Sequence, residues 1–592
     1  MFGGWRIVKT MGPGIDHSVL GRHIGSGLQH RKERQSMNIT QFVMKALAPK
    51  ASAFNKLTKD PIKAQERVLL KYLARNARTE YGLKHDFRSI KSISEFRKRV
   101  PVSDYETIRH YIDRMKKGEG NILTSDKVTY FGITSGTTGT PKLIPATRYS
   151  DARKGDLMDL WAYYVCRDHP RVVDGKILGI ISPEVKSHTE AGIPYGPEDG
   201  HAYNHLLGIV KRLYVLPYEI FYIEDYDARY YCILRIAVEH NVTTIATLNP
   251  SSLVLLCQRI PDVQEKIISD IERGTLDASF NIPPDIRAAV EKTLRPNPRR
   301  SGELRKIVID RGGLLPKYFW PGLELIECWK GGTVKCYLQQ VGRYFGNVAV
   351  RDFGCLSTEA RSSVPTGDKG ADGVLAVQTN FYEFIPKEDM DSPRKRMLLC
   401  NELKAGREYL LIVTTPGGLY RYNIDDVVRV TGFFHKTPTI EFVQKGRNAV
   451  SITGEKVYES HINEAVTRAC AKHKIPVQNF CAAAVREKGR ATSRYIFMVE
   501  FIDAPSRARM REFLMSVEDE LRRQNSEYDD LRKQQLISFP SLKVVNPGEF
   551  ERYRRGRVAK GSHDTQFKMP KLAMSADLEA SLKAGEELFV SD

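Results

Sequence analysis

Chemistry in this chain of 592 residues concentrates first in a hydroxyl- and glycine-rich run, Thr134-Ser135-Gly136-Thr137-Thr138-Gly139-Thr140, closed by Pro141-Lys142. Glycines let a backbone turn sharply and bring its N–H groups close to an anion. Hydroxyls add donors without bulk, and Lys142 adds a mobile positive charge. The combination suits a polyphosphate. It is not a Walker A loop, because no Gly-Lys-Ser/Thr closes it. A polar surface turn has the same composition, so the run alone leaves both readings open.

Three later stretches also carry candidate chemistry. In Arg351–Pro365, an aromatic–Gly pair (Phe353, Gly354) ends a strand and Ser357, Thr358 and Glu359 follow. In Gly418–Gly432, Asp425 and Asp426 are read at a turn. A carboxylate beside a strand end accepts two hydrogen bonds and is the usual partner of a ribose. On pattern alone, a β-hairpin with an Asp turn is the stronger reading. In Glu441–Glu459, Lys445-Gly446-Arg447 interrupts a strand pattern and reads as a hinge between domains. A Gly/Pro/His loop, Pro183–His205, holds His188, His201 and His205. No Cys or Asp/Glu completes a metal set there at a recognisable spacing, so surface or capping roles are expected.

The elements that must position these residues follow from periodicity. An apolar run, Val128–Ile133, delivers the chain to the Gly/Thr loop, and a helix over Arg148–Arg167 carries it away. Strands are expected at Lys176–Ser182, Thr243–Leu248, Leu304–Ile309 and Gly322–Cys328, alternating with helices in an α/β pattern. Asn249-Pro250 makes a helix start, with Asn as N-cap and Pro at the first helical position. Beyond the hinge, helix, strand, strand, helix and strand form a compact α+β domain. Arg552, Arg554, Arg555, Arg557 and Lys560 near its end read as a solvated helix face.

The formal net charge of +20 favours anionic partners, but Lys and Arg are spread along the chain rather than gathered in a nucleic-acid-binding tail. Nine cysteines, odd in number and without a C-x-x-C pair, point to reduced thiols in the cytoplasm. No apolar run is long enough for a membrane span, and residues 1–36 read as a flexible extension.

Taken in order, these stretches resemble the auxin-responsive acyl-acid amido synthetase family (Gretchen-Hagen type), a branch of the adenylate-forming enzymes. The carriers are TSGTTGTPKLIP, Asn249–Leu253 (NPSSL), Asp352–Ala360 (DFGCLSTEA), Tyr382-Glu383-Phe384, Gly418–Phe433, Asn525–Lys533 and Thr565–Leu572. The resemblance runs from about Met37 to the C-terminus. Extra residues between Gly354 and Ser357, and Asp-Asp where Gly-Asp is common, mark a divergent, bacterial-like member.

The resemblance implies an α/β fold, with a large adenylation domain (37–443) of mixed sheets, packed helices and a small β-barrel subdomain. A hinge (444–448) and a smaller, mobile α+β domain (449–592) would follow. It implies a ligase that uses ATP and Mg²⁺ to adenylate a small carboxylic acid and transfer the acyl group to an amine, such as an amino acid. The expected enzyme is a cytoplasmic monomer with no DNA or RNA partner. Ser135, Gly136, Thr137, Thr138 and Gly139 would hold phosphate, with Ser357 and Thr358 beside it and Glu359 on Mg²⁺. Tyr382 and Phe384 would flank the nucleotide, Asp426 would bind ribose and Arg447 would complete the ATP site. Lys568 would reach the phosphates, making Lys568 and Glu359 the catalytic pair. An acyl-CoA ligase shares the adenylation half, and a non-catalytic nucleotide- or nucleic-acid-binding protein is the rival from another class.

Overall fold

The computed structural model describes residues 39–134, 142–206, 208–446, 449–452, 455–486, 493–559, 567–573 and 581–588. Ser135, Gly136, Thr137, Thr138, Gly139 and Arg447 lie outside them.

The largest core surrounds a parallel four-stranded sheet, ordered Lys176–Ile180, Val242–Thr247, Leu325–Glu327, Ala349–Arg351. Lys176–Ile180, Val242–Thr247 and Leu325–Glu327 are almost wholly buried, as central strands of a parallel sheet covered on both faces are. The helix Arg148–Asp168 packs into this core through Leu157, Leu160, Trp161, Tyr164 and Val165. The helix Pro250–Arg273 begins as expected: Asn249 Oδ1 accepts the Ser251 N–H at 3.0 Å, and Pro250 opens the helix.

A second core is shared by N-terminal helices and a six-stranded antiparallel sheet. The sheet runs Phe381–Pro386, Glu408–Thr414, Tyr422–Phe434, Thr437–Lys445, Gly373–Leu375, Ser363–Val364. Beside it, Leu143–Thr147 and Val128–Ile133 pair antiparallel in a smaller sheet with Pro194–Gly196 and Ser187–His188. The third core belongs to a five-stranded sheet, ordered Leu572–Ala573, Val477–Arg486, Ser493–Phe501, Ser541–Val545, Ala584–Leu588, which packs with helices Glu459–His473 and Arg507–Gln524.

Two local expectations are corrected. Leu304–Ile309 is not a strand but lies within the helix Pro298–Arg311. Asn297 caps that helix by accepting the Arg300 N–H, Pro298 opens it, and Gly312 ends it in a left-handed conformation (φ +74°). Those caps outweigh the short β-branched run, and Ile309 is left 81% exposed. Asp425 and Asp426 are not at a turn either. They sit inside the strand Tyr422–Phe434, where the backbone of Asp425 is left-handed (φ +63°) and the chain reverses only near His435.

Among the described residues, no helix is long and apolar enough to cross a membrane, and no disulfide joins the cysteines.

Candidate functional site

The strands flanking the Gly/Thr loop are held in register to its edge. Ile133 pairs with Leu143, and the Thr134 N–H donates to Lys142 O at 3.1 Å. The loop therefore leaves from, and returns to, one rigid point. Thr147 and Ser150 form a reciprocal capping box that starts the helix Arg148–Asp168 immediately afterwards.

The Ser357–Ala360 turn is pinned to the same point. Thr358 Oγ1 donates to Ile133 O at 3.1 Å, while Ser357 N–H and Oγ close the turn on Ala360. Gly132 makes the approach possible. A Cβ there would lie 2.5 Å from Thr358 Cγ2 and 3.0 Å from Glu198 Oε2.

Thr358 and Glu359 line a cleft with Ser150, Lys154, Asn380 and Thr415. Lys154 Nζ donates to Thr358 O at 3.2 Å and pairs with Glu198 Oε1 at 2.5 Å. Burial disfavours its charge, yet Glu198, Asp151 and Glu359 outweigh burial and hold the ammonium above its ordinary range. Glu359 itself is half-buried and makes no direct hydrogen bond or ion pair with a described residue. A carboxylate kept available beside a phosphate-type loop fits Mg²⁺, which takes one or two carboxylates and fills its shell with phosphate and water.

Asp426 is buried and lies opposite Lys445 on the neighbouring strand. Lys445 Nζ is 2.5 Å from Asp426 Oδ1 and donates to Ile424 O at 3.0 Å. Burial opposes the Lys445 charge, but Asp426, Glu359 and Asp425 keep its pKa raised. Lys568 arrives from the C-terminal sheet region. The residue is exposed, while its Nζ sits 4.4 Å from the Trp329 ring centre and 5.8 Å from that of Phe442. Desolvation and the nearby Lys445 push its pKa down, against the opposing pull of Asp426 and Glu459. Thr358 and Glu359, Asp426, and Lys568, distant in sequence, are thus gathered into one charged neighbourhood.

Tyr382 and Phe384 do not join it. Both are fully buried, and neither lines the cleft. The Tyr382 hydroxyl accepts from Asn380 Nδ2 at 2.9 Å, placing the ring beneath a cleft residue. All six residues of their strand are buried, so the strand lacks the polar face that a ligand-flanking role needs. Glu383 between them is instead the centre of a buried ion cluster. Arg421 donates to it through Nε at 2.8 Å and Nη2 at 3.0 Å, and Arg97 Nε at 2.8 Å.

The histidine loop also departs from expectation. His201 is neither at the surface nor a cap. It is buried and stacked on Tyr130, with ring centres 3.9 Å apart. Glu184, 17 residues upstream, joins His201 and His205 in a group whose ligand atoms lie within 4.8 Å of one another. Yet His201 Nδ1 faces Glu184 Oε1 at 2.9 Å and Nε2 faces Asp151 Oδ2 at 3.3 Å. Burial pushes the imidazole pKa down, but these two carboxylates raise it to about 9. Both ring nitrogens are thus taken up by carboxylates.

The C-terminal basic cluster is a solvated face only in part: Arg552 and Arg557 are exposed and Lys560 lies outside the described residues, whereas Arg554 is buried and Arg555 is half-buried. Its helix, Glu549–Ala559, docks on the start of Pro250–Arg273: buried Arg554 donates to Ser251 Oγ at 3.3 Å, and Arg555 pairs with Asp227 at 2.9 Å. Asn249 Nδ2 donates to Phe567 O at 2.8 Å, tying the helix start to the segment that carries Lys568. Lys154, Glu198 and the Glu383 cluster escaped sequence reasoning. Each joins residues far apart in the chain, and no local spacing signals them.

The chain matches the GH3 family N-terminal domain over residues 50–350, the central domain over 373–445 and the C-terminal domain over 460–577. It is 26% identical over 542 residues to jasmonoyl–L-amino acid synthetase JAR4 of Nicotiana attenuata, covering 88% of this chain and 92% of that one. It is 27% identical over 577 residues to indole-3-acetic acid-amido synthetase GH3.15 of Arabidopsis thaliana, covering 91% and 95% respectively. Its fold superposes on a solved GH3.15 acyl acid amido synthetase with a TM-score of 0.80 at 25% identity, covering 95% of this chain and 99% of that one.

Proposed function

From the premise that this chain belongs to the GH3 family, we propose that it is an acyl-acid amido synthetase: it adenylates a carboxylic acid with ATP, releasing pyrophosphate, and transfers the acyl group to an amine, releasing AMP. The observation that carries the reading is that the Thr358–Glu359 turn is pinned to the strand end at the base of the Gly/Thr loop, while Asp426 of the central family segment pairs with Lys445 and Lys568 of the C-terminal segment packs near Phe442 on the same strand as Lys445.

In this reading, Ser135, Gly136, Thr137, Thr138 and Gly139 cradle phosphate oxygens, with Arg447 nearby. Ser357 shapes the turn that presents Thr358 and Glu359. Asp426 accepts hydrogen bonds from the ribose hydroxyls. Lys568 stabilises charge that develops on the phosphates, and charge stabilisation by preorganised groups is what lowers the barrier most in reactions of this kind. Mg²⁺ held by Glu359 would neutralise phosphate charge. Tyr382 supports the cleft from beneath by its bond to Asn380. No side-chain nucleophile is required, so catalysis rests on positioning and electrostatics. The chain works as a cytoplasmic monomer without a nucleic-acid partner, and 444–448 acts as the hinge between a large domain, 37–443, and a mobile one, 449–592.

The test is a pyrophosphate-release screen over carboxylic acids, followed by mass detection of conjugates with each amino acid. One or more amide conjugates are expected. Asp426→Ala should lose about 10²–10³ in rate, the scale of one lost charge-stabilising contact, while remaining folded. Thioester formation with CoA in place of amides, or normal turnover in Asp426→Ala, would overturn the assignment.

A further inference from the structure

We propose that Lys445 is a positioning residue for the nucleotide: its ammonium anchors the Asp426 carboxylate for the ribose and keeps Lys568 from pairing with that carboxylate. The inference rests on the acyl-adenylating reading and extends it to a residue outside the phosphate, ribose and closing-lysine roles.

Three observations lead to it. First, the Lys445 ammonium forms an ion pair with Asp426 Oδ1 and donates to the Ile424 carbonyl, two groups that flank the left-handed Asp425. It therefore fixes both the carboxylate and the backbone irregularity that presents it. A carboxylate has about four acceptor positions, so a lysine on one oxygen leaves room for ribose hydroxyls on the others. Second, the two residues are direct partners across antiparallel strands, a geometry set by register rather than by flexible reach. Third, Lys568 reaches the same neighbourhood from the other side, packed near Phe442 on Lys445's own strand.

The charges facing Lys445 are Asp426, Asp425, Glu359 and Lys568; those facing Lys568 are Lys445, Asp426 and Glu459. Two cations thus share Asp426. If Lys445 were absent, Asp426 would be a large-domain carboxylate already acting on Lys568 and left without its strand partner. An ion pair between them would neutralise the ribose acceptor and the phosphate-directed cation at once. Lys445 occupies the carboxylate and repels the incoming ammonium, so Lys568 stays unpaired with Asp426. Because Lys445 immediately precedes Gly446 and Arg447, this arrangement lies where the central strand leaves for the C-terminal region.

The experiment compares full-length wild type with Lys445→Met and Lys445→Arg. Binding of Mg-ATP is measured by titration calorimetry without any acid or amine. Acetylation of Lys568 by acetic anhydride is followed by mass spectrometry across an alkaline pH series. Lys445 is half-exposed, so circular dichroism is expected to match among the three proteins. Lys445→Met should weaken ATP binding about tenfold, the scale of one charge-assisted hydrogen bond. It should also lower Lys568 labelling at pH 8 several-fold, because without the repelling charge the lysine keeps its proton to higher pH. Lys445→Arg should restore both. Unchanged ATP affinity, or unchanged Lys568 labelling, in Lys445→Met overturns the proposal. Failure of wild type itself to bind ATP would refute the enzymatic reading separately, while the labelling arm still decides whether Lys445 sets Lys568.

Discussion

Glu383→Gln isolates the ion cluster that holds the Asp426-bearing strand. In the wild type, one carboxylate, 1% exposed, receives Arg421 Nε at 2.8 Å, Arg421 Nη2 at 3.0 Å and Arg97 Nε at 2.8 Å. Arg421 is 7% exposed, has a left-handed backbone (φ +45°), and also donates to the carbonyls of Arg97 and Val100. Glutamine keeps the shape but removes the charge and turns one acceptor oxygen into a donor. At least one guanidinium N–H then faces an N–H in a site closed to water. Removing one member of a buried ion pair costs about 3–5 kcal/mol, because the other charge is left uncompensated. The cost should fall on the paired strands Phe381–Pro386, Glu408–Thr414 and Tyr422–Phe434, since Glu383 and Arg421 lie on or beside them. Native-state hydrogen exchange reads it directly. Amides of these strands should exchange about 10²–10³-fold faster than in wild type, at ~1.4 kcal/mol per factor of ten. Amides of Val477–Arg486, in a separate core, should not change. Exchange within about threefold of wild type in the central strands would refute the reasoning, because it would mean that Arg421 finds water or another anion at little cost.

Three further outcomes are expected. His201, with its pKa raised to about 9 from an ordinary 6.5, stabilises the fold fully below pH 6.5 and loses that contribution as pH rises through 9; thermal melts of wild type should fall over that window, and His201→Gln should flatten the fall. Gly132→Ala drives a methyl against Thr358 and Glu198, an overpacking of about 1–3 kcal/mol; it should displace the Thr358–Glu359 turn and cut turnover by more than it lowers the melting temperature, and normal turnover would contradict the pinned-turn geometry. Arg555→Glu sets like charges against Asp227 and Glu551 at a partly exposed interface; docking should weaken by about 1 kcal/mol, visible as faster proteolytic cleavage between residues 444 and 460, whereas an unchanged cleavage rate would show that this ion pair contributes nothing to docking.

What the sequence revealed, and what it concealed, divides along the range of the interactions. Caps and runs are local. Asn249-Pro250 announced its helix because the cap is satisfied within two residues, and Val128–Ile133 announced a strand because its burial is continuous. Leu304–Ile309 misled because its β-branched run is local too, while the Asn297 cap that decides for helix lies seven residues upstream. Tyr382 and Phe384 were misplaced for a different reason. An aromatic beside a ligand and an aromatic in a core have the same composition, and only the full burial of their strand separates them.

The same reasoning explains why net charge alone does not locate the site. A chain at +20 reads as a binder of anions, yet many of its arginines pair within the molecule. Arg421 and Arg97 close on Glu383, Arg555 and Arg259 on Asp227, and Arg351 on Asp168. Each pairing spans tens to hundreds of residues, so no window on the sequence detects it. Lys154, Lys445 and Lys568 differ in kind. Lys154 lines the cleft with Glu359, which stays without a direct partner among the described residues, while Lys445 and Lys568 both feel the charge of Asp426. A structural ion network tends to pair its charges, as the Glu383 cluster does, where both carboxylate oxygens accept from arginine. A site that must exchange protein charges for those of a nucleotide keeps one carboxylate available and two cations in competition. That contrast, rather than the total charge, distinguishes binding from scaffolding in this chain.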